Sequence, residues 1–191
     1  MSGANARTDG DGLQRLGALL REQGGLIATL LAPIPGPAGE ASGAVEPLFS
    51  PAAVAAAGPR AAGRREEYEL LVEAIYEGYL LHYGSPRVVR AAEADLGLLA
   101  GDQLYAIGLA RLVALGDTAA VAELADTITL SALAHGRGED GLADAVWAAG
   151  ARAVGWGSSD VHRHAKDLAF AGSSDAIAAL RTSAAAGPQL S

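Results

Sequence analysis

The stretch from Ser85 to Gly116, SPRVVRAAEADLGLLAGDQLYAIGLARLVALG, constrains this chain most. Ser85 is a good helix N-cap, and Pro86 suits the first helical position, where a missing N–H leaves nothing unpaired. Leu96, Leu99, Gln103, Leu104, Ile107, Ala110 and Leu115 recur near helical spacing. Gly116 offers the left-handed residue that ends a helix. Ala, Leu, Gly and Val fill almost every side of the second half. A helix apolar all round is normally enclosed by others. The stretch therefore reads as the central helix of an all-α bundle.

The rest of the chain punctuates into further helices. Residues 1–11 are polar and Gly-rich and read as a disordered N-terminus. Residues 12–181 read as one all-helical domain. An amphipathic helix spans Gly12 to Leu31, weakened and open to division at Gly24-Gly25. A connection rich in Pro, Gly and Ala covers 32–63, read as a surface link rather than a loop around a partner. Within it Ser50-Pro51 can open a short helix at Ala52–Ala57. Arg64 to Tyr83 reads as a helix, with Leu70, Leu71, Ala74, Ile75, Gly78 and Leu81 inward. Its Tyr68, Tyr76, Tyr79 and Tyr83 suit a core rim with wet hydroxyls, in preference to a stacking platform. Asp117 caps a helix over Thr118–Ala134, and Asp140 caps another from Gly141 to about Val154. Gly155 to Ser158 is a turn. Ser159 caps Asp160–Phe170, and Ser174 starts a last helix to about Arg181. Residues 182–191 read as a loose tail. No strand pattern or repeat appears.

Composition excludes several classes. The chain lacks cysteine, so it has neither disulfides nor thiolate metal sites. Its net charge of -8 repels phosphate backbones and argues against nucleic-acid binding. The N-terminus lacks the apolar core of a signal peptide, and Leu26–Pro33 is too short to cross a bilayer. No integral membrane segment is expected, and the reading is a cytoplasmic protein. His162 and His164 are two apart on a helix and face different ways, a poor metal pair. His135 and His82 suit helix C-termini, where they complement the dipole. No nucleophile elbow, phosphate loop or dinucleotide fingerprint is present.

The segment GSPRVVRAAEADLGLLAGDQLYA resembles a segment of the trans-polyprenyl diphosphate synthases. That segment runs Gly-x-Pro, then through a helix to Leu-Ala-Gly-Asp, here Leu99–Asp102. The likeness covers roughly 68–138 and implies a truncated isoprenoid synthase fold. In that family, aspartate-rich motifs hold Mg²⁺ on an allylic diphosphate, since a hard cation prefers oxygen ligands. Here the first motif falls at Glu73-Ala74-Ile75-Tyr76-Glu77, with one carboxylate missing. The following basic pair falls at His82 and Tyr83, and no second motif follows Gly138. Glu73 and Glu77 are one turn apart and are read as a solvated face rather than a metal bracket. The resemblance thus implies a non-catalytic small subunit, with no catalytic residue and no cofactor. It would associate with a catalytic polyprenyl diphosphate synthase or with itself. The alternatives are a bundle that binds an isoprenoid or other lipid and, below that, a Mg²⁺-dependent prenyl-diphosphate enzyme.

Two further features bear on this reading. Asp102 lies in the apolar half of the central helix, and a buried carboxylate must be paired. It is read as an internal partner for Arg111, Arg87 or a helix N-terminus, ahead of a ligand contact. Gly97, Gly101 and Gly108 lie along one helix stripe. Each glycine costs about 1 kcal/mol relative to alanine in a helix. The compensation expected is close approach of another helix, making these the assembly residues.

Overall fold

The computed structural model describes residues 5–32 and 50–186, with side chains of the first helix from Gly12 onward. Part of each expected irregular segment (1–4, 33–49 and 187–191) therefore lies outside the described residues. The helices are α1 (Asn5–Gln23), α2 (Gly25–Thr29), α3 (Pro51–Ala57), α4 (Arg65–Tyr83) and α5 (Ala94–Ala114). They continue as α6 (Thr118–Gly136), α7 (Asp140–Trp156), α8 (Asp160–Phe170) and α9 (Ala176–Ala185). Among the described residues no strand forms; Leu31 and Val89 make an isolated antiparallel bridge. The protein is an all-α helical bundle.

Local chemistry accounts for several helix ends. Ser50 accepts a hydrogen bond from the Ala53 N–H at 3.2 Å, and Pro51 follows as the first residue of α3. Asp117 caps α6 through the Ala120 N–H at 3.0 Å, and Ser159 caps α8 through the His162 N–H at 3.2 Å. Gly24 and Gly25 both take φ 68 and divide the first amphipathic segment in two.

Several ends differ from the sequence reading. Helix α1 begins at Asn5, ahead of Gly12. Gly155 and Trp156 continue α7, and the chain turns at Gly157 with φ 91. Helix α7 starts at Asp140 itself, with Glu139 in the cap position and no side-chain cap bond. Asp175, not Ser174, precedes α9, which carries Thr182 to Ala185 into the fold. There Leu180 and Ser183 are buried against α7 and α8, and this burial outweighs the small-residue composition of the tail.

The largest correction concerns α5. Ser85 and Pro86 do not start it; the helix begins at Ala94, after Glu93, without a side-chain cap. The intervening backbone is already committed. The Ala32 N–H donates to the Val88 carbonyl at 2.9 Å, and the Arg90 N–H to the Leu30 carbonyl at 2.7 Å. The N–H groups of Arg87, Val88 and Val89 all donate to Glu77. Backbone held this way cannot wind into a helix.

Nor is α5 central. Helix α4 packs on α1, α3 and α5, while α7 packs on α3, α6 and α9. Tyr76 and Tyr79 of α4 meet Trp147 of α7 at ring-centroid distances of 4.8 and 5.2 Å. These two helices each bury more side chains than any other helix, Leu71, Val72, Ile75, Val146 and Val154 among them. Helix α5 lies along α4 as an outer wall. It is long and apolar enough to cross a membrane by length and composition, yet only a third of it is buried.

Candidate functional site

Glu73 and Glu77 follow one another on α4 by a single turn, and both are buried. They are not the solvated face that their spacing suggests. Glu77 is 0% exposed. Its Oε1 accepts the N–H groups of Arg87, Val88 and Val89 at 2.8, 2.6 and 3.1 Å. Arg87 Nε donates to its other oxygen at 3.3 Å, and Arg87 Nη2 reaches Glu73 Oε1 at 2.5 Å. The guanidinium also lies 5.1 Å from the centre of the Tyr76 ring. A buried carboxylate needs a counter-charge and donors for its lone pairs. Arg87 and the following backbone supply both. Ala74, the residue after Glu73, is buried in the core with Leu104 and Ala100. Among the described residues no group of three or more His, Cys, Asp or Glu side chains is arranged to hold a metal ion.

Asp102 is not buried. Its side chain is 69% exposed and pairs with His82 Nε2 at 3.1 Å. Neither Arg111 nor Arg87 is its partner. The register of α5 explains this, since Gly101 and Leu104 point at α4 and turn Asp102 outward. His82 stacks on Tyr105 with ring centroids 5.4 Å apart, so the pair closes the top of the α4–α5 seam.

The glycine stripe is used inside the chain. A Cβ on Gly108 would lie 2.4 Å from Ile75 Cγ1 and 3.1 Å from the Leu71 carbonyl oxygen. One on Gly101 would lie 2.7 Å from the His82 ring and 3.0 Å from the Gly78 carbonyl oxygen. Gly97 is looser, its Cβ position 3.7 Å from Ala91 Cβ. Gly101 and Gly108 let α5 settle onto α4, so these glycines are not where another chain would pack.

Tyr68 and Tyr79 of α4 are core rather than rim, whereas Tyr76 is half-buried and Tyr83 exposed. The Tyr68 hydroxyl donates to Asp117, and the Tyr79 hydroxyl lies 2.9 Å from His135 Nε2. Burial, with neighbouring Tyr76 and carboxylates adding to it, pushes the Tyr79 hydroxyl up to about 12. His135 stacks on Tyr83 at 4.4 Å and meets Asp140 at 3.1 Å.

A second polar cluster escaped sequence reasoning. His162 is buried, with Nδ1 2.9 Å from Ser183 Oγ and Nε2 3.0 Å from Glu123 Oε2. Lys166 donates to Glu123 at 2.9 Å and to Asp126 at 2.6 Å. Burial works against the Glu123 carboxylate. Hydrogen bonds from His162, Lys166 and Ser158 outweigh it and hold the carboxyl at about 2. Ser183 lies within a regular helix and is itself buried. The cluster clamps α8 and α9 to α6, and His164 points away from it into solvent. Only Glu123 and Asp126, two carboxylates in an otherwise Ala- and Leu-rich helix, hint at it beforehand.

The remaining feature is the outer side of α5. Leu98 is 44% exposed, Leu99 58% and Val113 56%. Ala106 and Ala110 are exposed between them, and Leu109 is half-buried. Leu99, Asp102, Ala106, Leu109 and Val113 alternate by three and four, the spacing of a seam that faces another helix. Nearby, Glu67, Leu70, Leu71, Arg111, Ala114 and Leu115 line a groove of about 310 Å³ between α4 and α5. The chain matches no family model, no curated protein and no solved structure.

Proposed function

We propose that this protein works by association: it is a non-catalytic helical subunit that joins another chain through the outer face of α5. The partner is a second copy of itself or a catalytic polyprenyl diphosphate synthase, the class to which its Gly84–Asp102 segment is similar. One observation carries the reading. A helix whose outer side exposes Leu98, Leu99 and Val113, with Asp102 among them, stands two-thirds open on the bundle surface. Contiguous apolar surface of this kind marks an interaction site in a folded protein.

The carboxylates support the non-catalytic half of the proposal. Glu73 and Glu77, which stand at the positions of the first aspartate-rich motif, are both engaged by Arg87. Mg²⁺ would have to displace that guanidinium and strip Glu77 of its backbone donors. The experiment has two arms. Purified protein, with or without Mg²⁺, is incubated with radiolabelled isopentenyl diphosphate and an allylic diphosphate. The same protein, tagged, is used to recover partners from its native cell. The expected results are no extractable product and recovery of either a second copy or a polyprenyl diphosphate synthase. Turnover abolished by Glu73→Gln would overturn the proposal.

A second reading rests on the groove at Leu70, Leu71 and Leu115. Its volume lies at the lower end of small-molecule sites, and its walls are apolar. A bound isoprenoid or other lipid released from purified protein and identified by mass spectrometry would favour it.

A further inference from the structure

We infer that Tyr79 is a site of one-electron oxidation, its hydroxyl proton passing to His135 and its electron leaving through Tyr83. This activity is independent of association through α5. The chain has no cysteine and one methionine, Met1, so the sulfur side chains that oxidants ordinarily attack are nearly absent. Its aromatic rings are then the most readily oxidised groups. Only 5% of the residues are aromatic. Yet Tyr76, Tyr79, Tyr83, Tyr105 and Trp147 form one connected array, with His82 as the link to Tyr105. The array runs from the core to solvent. Trp147 is 2% exposed, and its ring lies 5.2 Å from that of Tyr79. The Tyr83 ring lies 5.7 Å beyond and is exposed. Centroid separations of this size put ring edges close to contact. An oxidant in solvent can take an electron at Tyr83 and Tyr79 can replace it.

The proton decides where the oxidising equivalent rests. A phenol that loses an electron becomes a strong acid, and it is stabilised where a base receives its proton. The Tyr79 oxygen lies 2.9 Å from His135 Nε2. The Asp140 carboxylate, 3.1 Å from Nδ1, favours the tautomer that carries its proton there and leaves Nε2 to accept. Because burial raises the Tyr79 hydroxyl, the phenolate is not present beforehand, and proton and electron leave together. Trp147 lacks this outlet, since its Nε1 is buried without a hydrogen-bond partner. Tyr68 does meet a base, Asp117, but makes no ring contact with the array. Burial works against the Asp117 carboxylate, yet hydrogen bonds from Tyr68, Ala120 and Arg60 push its carboxyl down. Asp117 is therefore a weaker base than an imidazole. The step balances with a diffusing outer-sphere one-electron oxidant, which is reduced by one electron. The Tyr79 O–H bond breaks and an N–H bond forms at His135 Nε2. The products are a neutral phenoxyl radical and an imidazolium beside Asp140.

The test oxidises the full chain with photogenerated ruthenium(III) tris-bipyridine, with persulfate as the sacrificial acceptor. Samples are frozen and read by electron paramagnetic resonance. The unaltered protein is expected to give a neutral tyrosyl radical as its main signal. Tyr79→Phe, checked for unchanged helical circular dichroism, is expected to lose most of that signal, and Tyr68→Phe to keep it. Tyr83→Phe is expected to slow its formation. Two measurements need no variant. Heavy water is expected to slow radical formation, because the O–H bond breaks in the step. Isotopic labelling of the histidine nitrogens is expected to change the hyperfine pattern, since among the described tyrosines Tyr79 alone shares a hydrogen bond with a histidine. A tryptophan radical cation as the main product, or a tyrosyl signal that survives Tyr79→Phe, would overturn the inference. So would a hyperfine pattern indifferent to histidine labelling or a rate unchanged in heavy water. An unchanged rate in Tyr83→Phe would overturn the exit through that ring.

Discussion

Glu77 collects three consecutive backbone N–H groups and the Arg87 side chain on one carboxylate. Removing a buried acceptor leaves all of these donors without a partner. Glu77→Leu should cost about 3–5 kcal/mol, the range for breaking a buried charge pair. Glu77→Gln keeps one carbonyl oxygen for the backbone and should cost less, with the difference read from urea unfolding midpoints. Asp102 gives the opposite case. Because it is exposed and paired only with His82, Asp102→Leu should move stability by no more than about 1 kcal/mol. A loss of several kcal/mol, measured the same way, would place Asp102 in a role that its exposure does not support. These two residues also show what the sequence conceals. The pattern Ser85-Pro86 satisfies every local rule for a helix start. A carboxylate on the preceding helix overrides it, and a local pattern carries no trace of that contact. Asp102 reads as internal from the sequence because a uniformly apolar stretch fits burial on all sides.

At the scale of the element, helix existence was legible and helix environment was not. Caps at Ser50, Asp117 and Ser159 were readable because they depend on residues within one turn. The glycine stripe was correctly read as a close approach, but periodicity could not say which helix approached. Gly108→Ala tests the answer. Its new methyl would meet Ile75 and the Leu71 carbonyl, so the change should destabilise the monomer fold by about 1–3 kcal/mol. A stabilising effect, expected for alanine in an open helix, would contradict the packing. The α6–α8–α9 clamp carries a pH signature. The Glu123 carboxyl stands at about 2 in the fold, against 4.5 unperturbed, so its charged form is favoured by folding. Its contribution is fully present above pH 4.5 and is lost as pH falls through about 2. Unfolding of wild type and Glu123→Gln should therefore differ at pH 7 and converge as the pH drops toward 2. A gap that stays constant with pH would mean that the carboxylate is not held by His162 and Lys166.

For the whole molecule, the all-α bundle follows from Ala- and Leu-rich helical patterns broken by Gly and Pro. The arrangement of the helices does not, because nearly every helix offers more than one apolar side. Helix α5 shows this most clearly: its uniform apolarity fits an enclosed helix and equally a wall that another chain covers. The structure leaves that wall open at Leu98, Leu99 and Val113. Light scattering on the purified full chain at micromolar concentration, set beside Leu99→Glu, tests association most directly. The account predicts a wild-type mass of at least twice 19.2 kDa, or a stable complex with a recovered synthase. In either case Leu99→Glu should reduce the mass to that of the single chain with helical circular dichroism intact. A wild-type protein at 19.2 kDa with no partner, or a mass unchanged by Leu99→Glu, would contradict it.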